Sequence, residues 1–369
     1  MNEVAQVATQ KLMLVTKTLD ASPSGGRELL CKLNYDALHD IYGESLLLFE
    51  LATTRPSGIS AYLNTFRGHI DGLSVATIYA ALMKIKDQRI SHVFVDGSNL
   101  GGFVAVLKKQ MPQIEITTFF HNVEARFFWG SFLLHKTLRA LAVVVANALA
   151  ERKAVKFSDK RICLSDRDSR LLKKLYGQGA THIAPMVLED KCPASFLVQA
   201  STHPPERFAL FVGGNFYANR AGIAWFVREV VPLIDLPVYI VGRGFETLRA
   251  ALEVPGKVIV VGAVDSLADW YHRAQFVIAP IFDGSGMKTK VAEALMYGKR
   301  IVGTPEAFSG YENVVEQAGW LCETADEFSR AINAASKEIS TSFNPVLRNI
   351  YEQRYSMAAA KERLRQVLT

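Results

Sequence analysis

Short apolar runs of strand length alternate with helix-spaced amphipathic stretches along this chain, and the alternation happens twice. In the first half, residues 11–19 (KLMLVTKTL), 45–52 (SLLLFELA), 92–97 (HVFVDG), 115–121 (EITTFFH) and 160–165 (KRICLS) have strand length and composition. Between them, residues 26–38, 73–86, 101–110 and 166–176 space their apolar side chains as helices do. Parallel neighbours need a crossover connection, and crossover helices shield both faces of the sheet, so this rhythm predicts a helix-covered parallel sheet. Residues 189–207 break it with Pro193, Pro204 and Pro205 among Ser and Thr, the composition of a linker. A second alternation follows: strands at 208–212 (FALFV), 237–241 (PVYIV), 257–261 (KVIVV), 275–280 (QFVIAP) and 300–303 (RIVG), with helices at 219–231 and 288–297. Residues 345–368 read as one or two helices with no strand after them. The expectation is two doubly wound α/β domains in tandem: 1–190, a linker at 191–207, a second domain at 208–344, and a C-terminal helical segment at 345–369.

Composition narrows the class. With 369 residues, 49% apolar and 21% charged, the chain can bury two cores and is no disordered or collagen-like polymer. Cys31, Cys163, Cys192 and Cys322 are far apart with no CxxC or Cys/His spacing, which predicts reduced thiols rather than zinc or a disulfide framework. No stretch reaches the roughly 18–20 apolar residues of a membrane span, and the first ten residues lack a signal-peptide pattern. The expectation is a cytoplasmic protein, at most peripheral to a membrane. Its net charge of +6 sits entirely in residues 1–200, with 24 Lys and Arg against 18 Asp and Glu. Residues 126–174 alone hold 12 basic and 4 acidic residues. Either these are solvated helix faces or they front an anionic acceptor or membrane surface; no nucleic-acid motif accompanies them.

Ligands of open α/β sheets bind beyond the carboxyl ends of the strands, so chemistry should sit in strand-to-helix loops. The richest is residues 279–298, APIFDGSGMKTKVAEALMYG. Its glycines let backbone approach a ligand, its helix start offers free amides to phosphate oxygens, and Lys288 and Lys290 add cations. Glu293, farther along the helix, is placed to accept from ribose hydroxyls. His121 and Asn122 end the EITTFF strand, with Glu124 and Arg126 following on the same loop. Asp96 ends VFVD, and Gly25 and Gly26 open the helix after the first strand. No HExxH, GxSxG, P-loop, DxD pair or Cys/His nucleophile arrangement is present.

The segment GSGMKTKVAEALMYGKRIVGT, preceded by FVIAPIFD, resembles the donor-binding segment of the family-4 retaining glycosyltransferases of the GT-B fold, in the branch found in bacterial polysaccharide clusters. FALFVGGNFYANRAGIAWFVREVVPLI resembles the opening strand, loop and helix of their donor domain. KVIVVGAVDSLADWYHRAQFVIAP, with Val264, resembles their nucleobase loop, and FFHNVEARF their acceptor-domain strand end. The resemblance implies two Rossmann-like domains facing a cleft, with the C-terminal helix packing back on the first. It implies transfer of a sugar from a nucleotide diphosphate sugar to a lipid-linked or oligosaccharide acceptor, in O-antigen, capsule or exopolysaccharide synthesis, with retention and without a metal or other cofactor. Glu293 matches the family's ribose-binding glutamate. Ser285, Gly286, Met287 and Lys288 match the loop contacting diphosphate and sugar, and His121 the donor-sugar contact. Gly25 and Gly26 match the glycine loop facing the phosphates. Two family positions differ. The first glutamate of the paired motif falls at Ser285, with Asp283 a substitute, and the diphosphate-binding arginine falls at Gly214, leaving Arg220 and Lys290 as cations. Asn122, Glu124, Arg126 and Asp96 are expected on the acceptor side. A nucleotide-sugar epimerase or a noncatalytic partner subunit are the alternatives.

Overall fold

The strand-like runs become strands, and the named strands all pair in parallel. The computed structural model describes residues 10–20, 25–52, 70–194, 204–284 and 286–368. The chain divides into two units, Met1–Met186 with Ala360–Thr369, and Val187–Ala359.

In the first unit the sheet order is β2-β1-β3-β4-β5-β6. Its strands are β1 (Leu12–Lys17), β2 (Leu46–Leu51), β3 (His92–Asp96), β4 (Glu115–Phe120), β5 (Lys160–Cys163) and β6 (His182–Ile183). Helices α1 (Gly26–Tyr42), α2 (Val75–Asp87), α3 (Gly101–Gln110), α4 (Glu124–His135), α5 (Leu138–Phe157) and α6 (Asp166–Tyr176) connect them. All five residues of β3 are buried, which is why it reads as an unbroken apolar run rather than an alternation. Three of these helices begin on side-chain caps: Ser74 and Thr77 form a reciprocal capping box on α2, Thr137 accepts the Ala140 amide at the start of α5, and Ser165 caps α6.

The second unit has order β9-β8-β7-β10-β11-β12, from β7 (Ala209–Val212), β8 (Val238–Val241), β9 (Val258–Gly262), β10 (Phe276–Ala279), β11 (Ile301–Gly303) and β12 (Gly319–Leu321). Counted within the unit this is 3-2-1-4-5-6, the doubly wound dinucleotide-binding order, whose direction reverses between β7 and β10. Its helices are α7 (Tyr217–Glu229), α8 (Arg249–Leu252), α9 (Ala268–Arg273), α10 (Thr289–Met296), α11 (Val315–Ala318), α12 (Ala325–Glu338), α13 (Pro345–Arg354) and α14 (Met357–Leu368). From Ala360 onward α14 belongs to the first unit, where Lys361 pairs with Asp40. Arg348 on α13 binds Asp190 and donates to the Met296 carbonyl at 3.1 Å, fixing the C-terminal end of α10.

Helices α4, α5, α8, α9, α11 and α12 and strands β6 and β12 lie outside the segments that periodicity assigned. The reason for α5 is specific: it is apolar on nearly every side, so no helical stripe stands out. Within the segment 189–207, residues 195–203 lie outside the described residues; Leu188, just before it, donates its amide to the Tyr355 carbonyl at 2.9 Å. No helix among the described residues is long and apolar enough to cross a membrane.

Candidate functional site

In the second unit, the predicted donor residues converge on the loops after β7 and β10, the pair flanking the reversal of strand order. Gly222 on α7 allows this closeness, since a Cβ there would lie 1.7 Å from the Pro280 carbonyl oxygen at the end of β10. Gly284 and Gly286 hold φ of 140° and 64°, conformations that L side chains rarely adopt. Ser285 lies outside the described residues. Asp283 is exposed, accepts from the Gly284 amide at 2.8 Å and from the Tyr217 hydroxyl at 3.3 Å.

Helix α10 starts at Thr289, one residue after the expected start at Lys288. Met287 packs its side chain inward beneath Gly310, leaving its backbone to the loop. Lys288 Nζ lies 2.8 Å from Glu306 Oε1 and donates to the Gly286 carbonyl at 2.9 Å. The expected diphosphate cation is thus held by a carboxylate here. Lys290 is 6% exposed. Its Nζ donates to Asn219 Oδ1 at 2.5 Å and sits 4.9 Å over the Phe211 ring. Burial, with Lys288 nearby, lowers the Lys290 ammonium pKa to about 7 although Glu293 opposes the shift. The Lys290 amine, buried beside the loop after β7 and held by one neutral amide, can pair with an anion that enters there.

Glu293 is half-buried and accepts from the Tyr271 hydroxyl at 3.2 Å. Burial raises its carboxyl pKa, opposed by that hydrogen bond and by Lys290. Tyr271 is itself held by stacking on Tyr297, centroids 4.4 Å apart, so the glutamate has a fixed orientation. Arg220 is exposed on α7, in the helix's first turn rather than at its start. Gly214 is exposed, and a Cβ there would meet only the Arg243 carbonyl, at 3.8 Å. Val264 is half-buried just beyond β9.

The first unit holds a second cluster at its own reversal, between β1 and β3. His121 Nε2 lies 2.8 Å from Asp96 Oδ1. Asp96 has no exposed surface; Thr16 Oγ1 donates to it at 3.0 Å and Asn34 Nδ2 at 2.9 Å. Burial works against the charge of Asp96, but His121, Asn34 and Cys31 hold its carboxyl below the usual carboxylate range. Asp96, expected on the acceptor side, is enclosed here and orients His121. His121 Nδ1 is buried with no partner among the described residues. An unpaired buried polar atom costs about 1–3 kcal/mol, which a ligand hydroxyl would recover. Cys31, Asp96 and His121 lie within 4.8 Å of one another. The histidine and carboxylate bond each other, and burial beside Asp96 pushes the Cys31 thiol far up.

Glu124 and Arg126 belong to the first turn of α4, not to the loop expected. Glu124 is 5% exposed. Burial pushes its carboxyl up to about 7, with Glu151 and Asp71 reinforcing and Arg27 opposing. Arg126 is exposed and Asn122 half-buried. Gly25 precedes α1 with extended backbone, where a Cβ would lie 2.3 Å from Glu28 Oε2, and Gly26 has open space around it.

Sequence reasoning missed four positioning residues. Glu151 on α5 accepts the Glu124 amide at 2.8 Å and the Ala125 amide at 3.3 Å, capping α4 from outside the helix. Its signal was a lone acid inside an apolar run. Arg27 pairs with Asp71 at 2.6 Å. Asn219 and Tyr271 hold Lys290 and Glu293, and nothing local in the sequence marks them.

Residues 206–338 match the family model described as glycosyl transferases group 1. No curated protein sequence matches the chain. Among solved structures, sucrose-phosphate synthase from Thermosynechococcus elongatus is similar with a TM-score of 0.70 at 14% identity, covering 97% of this chain and 98% of that one. HepE from Anabaena in complex with UDP has a TM-score of 0.67 at 12% identity, covering 97% and 99%. The apo lipopolysaccharide outer core galactosyltransferase WaaB has 0.65 at 15%, again covering 97% and 99%. The fold is the two-domain α/β GT-B fold.

Proposed function

We propose that this protein is a retaining glycosyltransferase that moves a sugar from a nucleotide diphosphate sugar to a hydroxyl of a lipid-linked or oligosaccharide acceptor, in assembly of a bacterial surface polysaccharide. The observation that carries the reading is the convergence of Gly213, Asn219, Lys290 and Glu293 at the β7/β10 reversal, within the segment similar to glycosyl transferases group 1.

In this reading the Glu293 carboxylate, aimed by Tyr271, accepts from the ribose hydroxyls. The loop at Gly284 and Gly286 lays its backbone against the diphosphate, and Lys290 supplies the buried positive charge that stabilises it as leaving group. Lys288 exchanges Glu306 for the same phosphates. His121, oriented by Asp96, presents Nδ1 to the donor sugar. The departing diphosphate takes the acceptor proton on the same face, so no protein nucleophile is needed and the protein's contribution is positioning and charge stabilisation. Asn122 and Arg126 contact the acceptor, and the basic 126–174 region fronts an anionic acceptor or the inner face of a membrane.

The test is thermal denaturation against a panel of nucleoside diphosphates and their sugars, UDP first because HepE is solved with UDP and with UDP-glucose. A ligand at about 100 times its Kd adds about 2.7 kcal/mol. The expected result is stabilisation by one base class that Glu293→Ala abolishes. Absence of any shift would overturn the donor site and favour a noncatalytic partner subunit. Turnover of a nucleotide sugar with no acceptor present would instead indicate an epimerase.

A further inference from the structure

Helix α5 is apolar on two sides. Its inward side carries Val144, Ala150 and Ala154. On the other side Leu138, Leu141, Val145 and Leu149 recur at intervals of three and four and are 87, 36, 40 and 40% exposed. Arg152 and Lys156 continue the same stripe and are also exposed. At 3.6 residues per turn all six fall within an arc of about 80°. On α4, packed against α5, Trp129 and Leu133 are exposed as well, at 44 and 52%. A water-facing helix normally carries polar residues in these positions.

The charges around this apolar stripe have one sign. Arg126, Lys136, Arg139, Arg152 and Lys156 are exposed, whereas the acids of the two helices, Glu124 and Glu151, are buried. None of the five cations has an ion-pair partner among the described residues. Two copies of this chain meeting through the face would bring like charges together about the symmetry axis. An anionic bilayer matches both features at once, since acyl chains accept the leucines while headgroups accept the cations.

We propose that the exposed face of the α4–α5 hairpin docks on the surface of an anionic lipid bilayer, with Leu138, Leu141, Val145 and Leu149 entering the headgroup–acyl boundary and Arg152 and Lys156 pairing with lipid phosphates. The inference deepens the transfer reading, on which it rests only for the idea that the acceptor is lipid-linked. It differs from purely electrostatic attraction: apolar insertion leaves part of the affinity intact at high salt.

Co-sedimentation with vesicles of phosphatidylcholine containing about a third phosphatidylglycerol tests it. The double variant Leu138→Glu, Val145→Glu, both on exposed positions, is expected to weaken binding at least about tenfold and to abolish the blue shift of Trp129 fluorescence. Arg152→Glu, Lys156→Glu is expected to lose about fivefold per charge removed on these vesicles and little on neutral ones. Val346→Glu, exposed on the other unit, should bind as the parent does. Unchanged vesicle binding by the leucine–valine variant overturns the proposal. So does a dimer in solution that this variant dissociates while the parent ignores vesicles. Nucleotide thermal shifts run on the same proteins keep the two readings apart. Vesicle binding without any nucleotide shift supports the bilayer face and sinks the transfer reading; a nucleotide shift without vesicle binding does the reverse.

Discussion

The two units bury charge in opposite ways. In the first, Asp96 is wholly enclosed, and Thr16, Asn34 and His121 occupy its oxygens. In the second, Lys290 is nearly as deep but has one neutral partner, Asn219, and Lys288 is held by Glu306 in a contact it can exchange. Among the described residues, the first carboxylate has both oxygens satisfied within the protein, and only His121 Nδ1 is left open; the buried Lys290 amine of the second has no carboxylate in hydrogen-bond contact. A closed network fixes the geometry of a single side chain, here His121. An under-compensated cation holds binding energy in reserve for an anion, at a cost in stability.

Breaking the closed network should have the largest effect. Asp96→Ala leaves His121, Asn34 and Thr16 without their shared acceptor inside the core, and is expected to lose about 3–5 kcal/mol in urea unfolding. Asp96→Asn, which keeps one acceptor oxygen, should lose less. If Asp96→Ala costs no more than a surface substitution, the enclosure argument fails.

Lys290→Met should move stability the other way. A lysine whose folded pKa is about 7 against 10.5 unfolded is destabilised by its charge below pH 7. Stability then rises as pH climbs from 7 towards 10.5, because the unfolded chain holds the extra proton there. The methionine variant should lack this rise and exceed the parent by about 2–3 kcal/mol at pH 6, discounted by the lost bond to Asn219. Its nucleotide shift should vanish. Unfolding curves with parallel pH dependence in the two proteins would contradict the assignment.

Glu124 provides the opposite slope within the first unit. Its carboxyl is raised to about 7, so the folded state keeps a proton that the unfolded chain releases near pH 4.5, and stability falls as pH rises through that window. Glu124→Gln should flatten the fall and gain about 1–2 kcal/mol above pH 7, with the difference gone below pH 4.5. The same denaturant series at several pH values reads it.

The smallest effect sharpens the comparison most directly. A side chain at Gly214 meets nothing closer than 3.8 Å, so Gly214→Arg should change stability by less than about 0.5 kcal/mol. By adding a cation at the rim of the loop after β7, it should, if the proposed function holds, tighten nucleotide diphosphate binding severalfold, measured by calorimetry. Loss of binding would place the loop away from the phosphates.

Much of this was legible in advance. Buried parallel strands must be apolar on both faces, so β1, β3, β7 and β10 announce themselves, and Gly284 and Gly286 mark a loop that needs left-handed backbone. Helix α5 was illegible because an apolar stripe on its exposed side erased the period that a one-sided helix shows. Asp96 was readable as a strand-end carboxylate, but whether it faces ligand or core depends on Asn34 and Thr16, which lie 62 and 80 residues away in sequence.

The sequence by itself determined the alternation, hence two parallel sheets, and placed Lys288, Lys290 and Glu293 on one loop and helix, because those facts rest on local period and local spacing. Only the tertiary structure decided the strand order that sets the β7/β10 reversal, the partners of each charge, and which side of α5 meets water. These depend on contacts between segments distant in the chain, and a buried charge is defined by what surrounds it rather than by its neighbours in sequence.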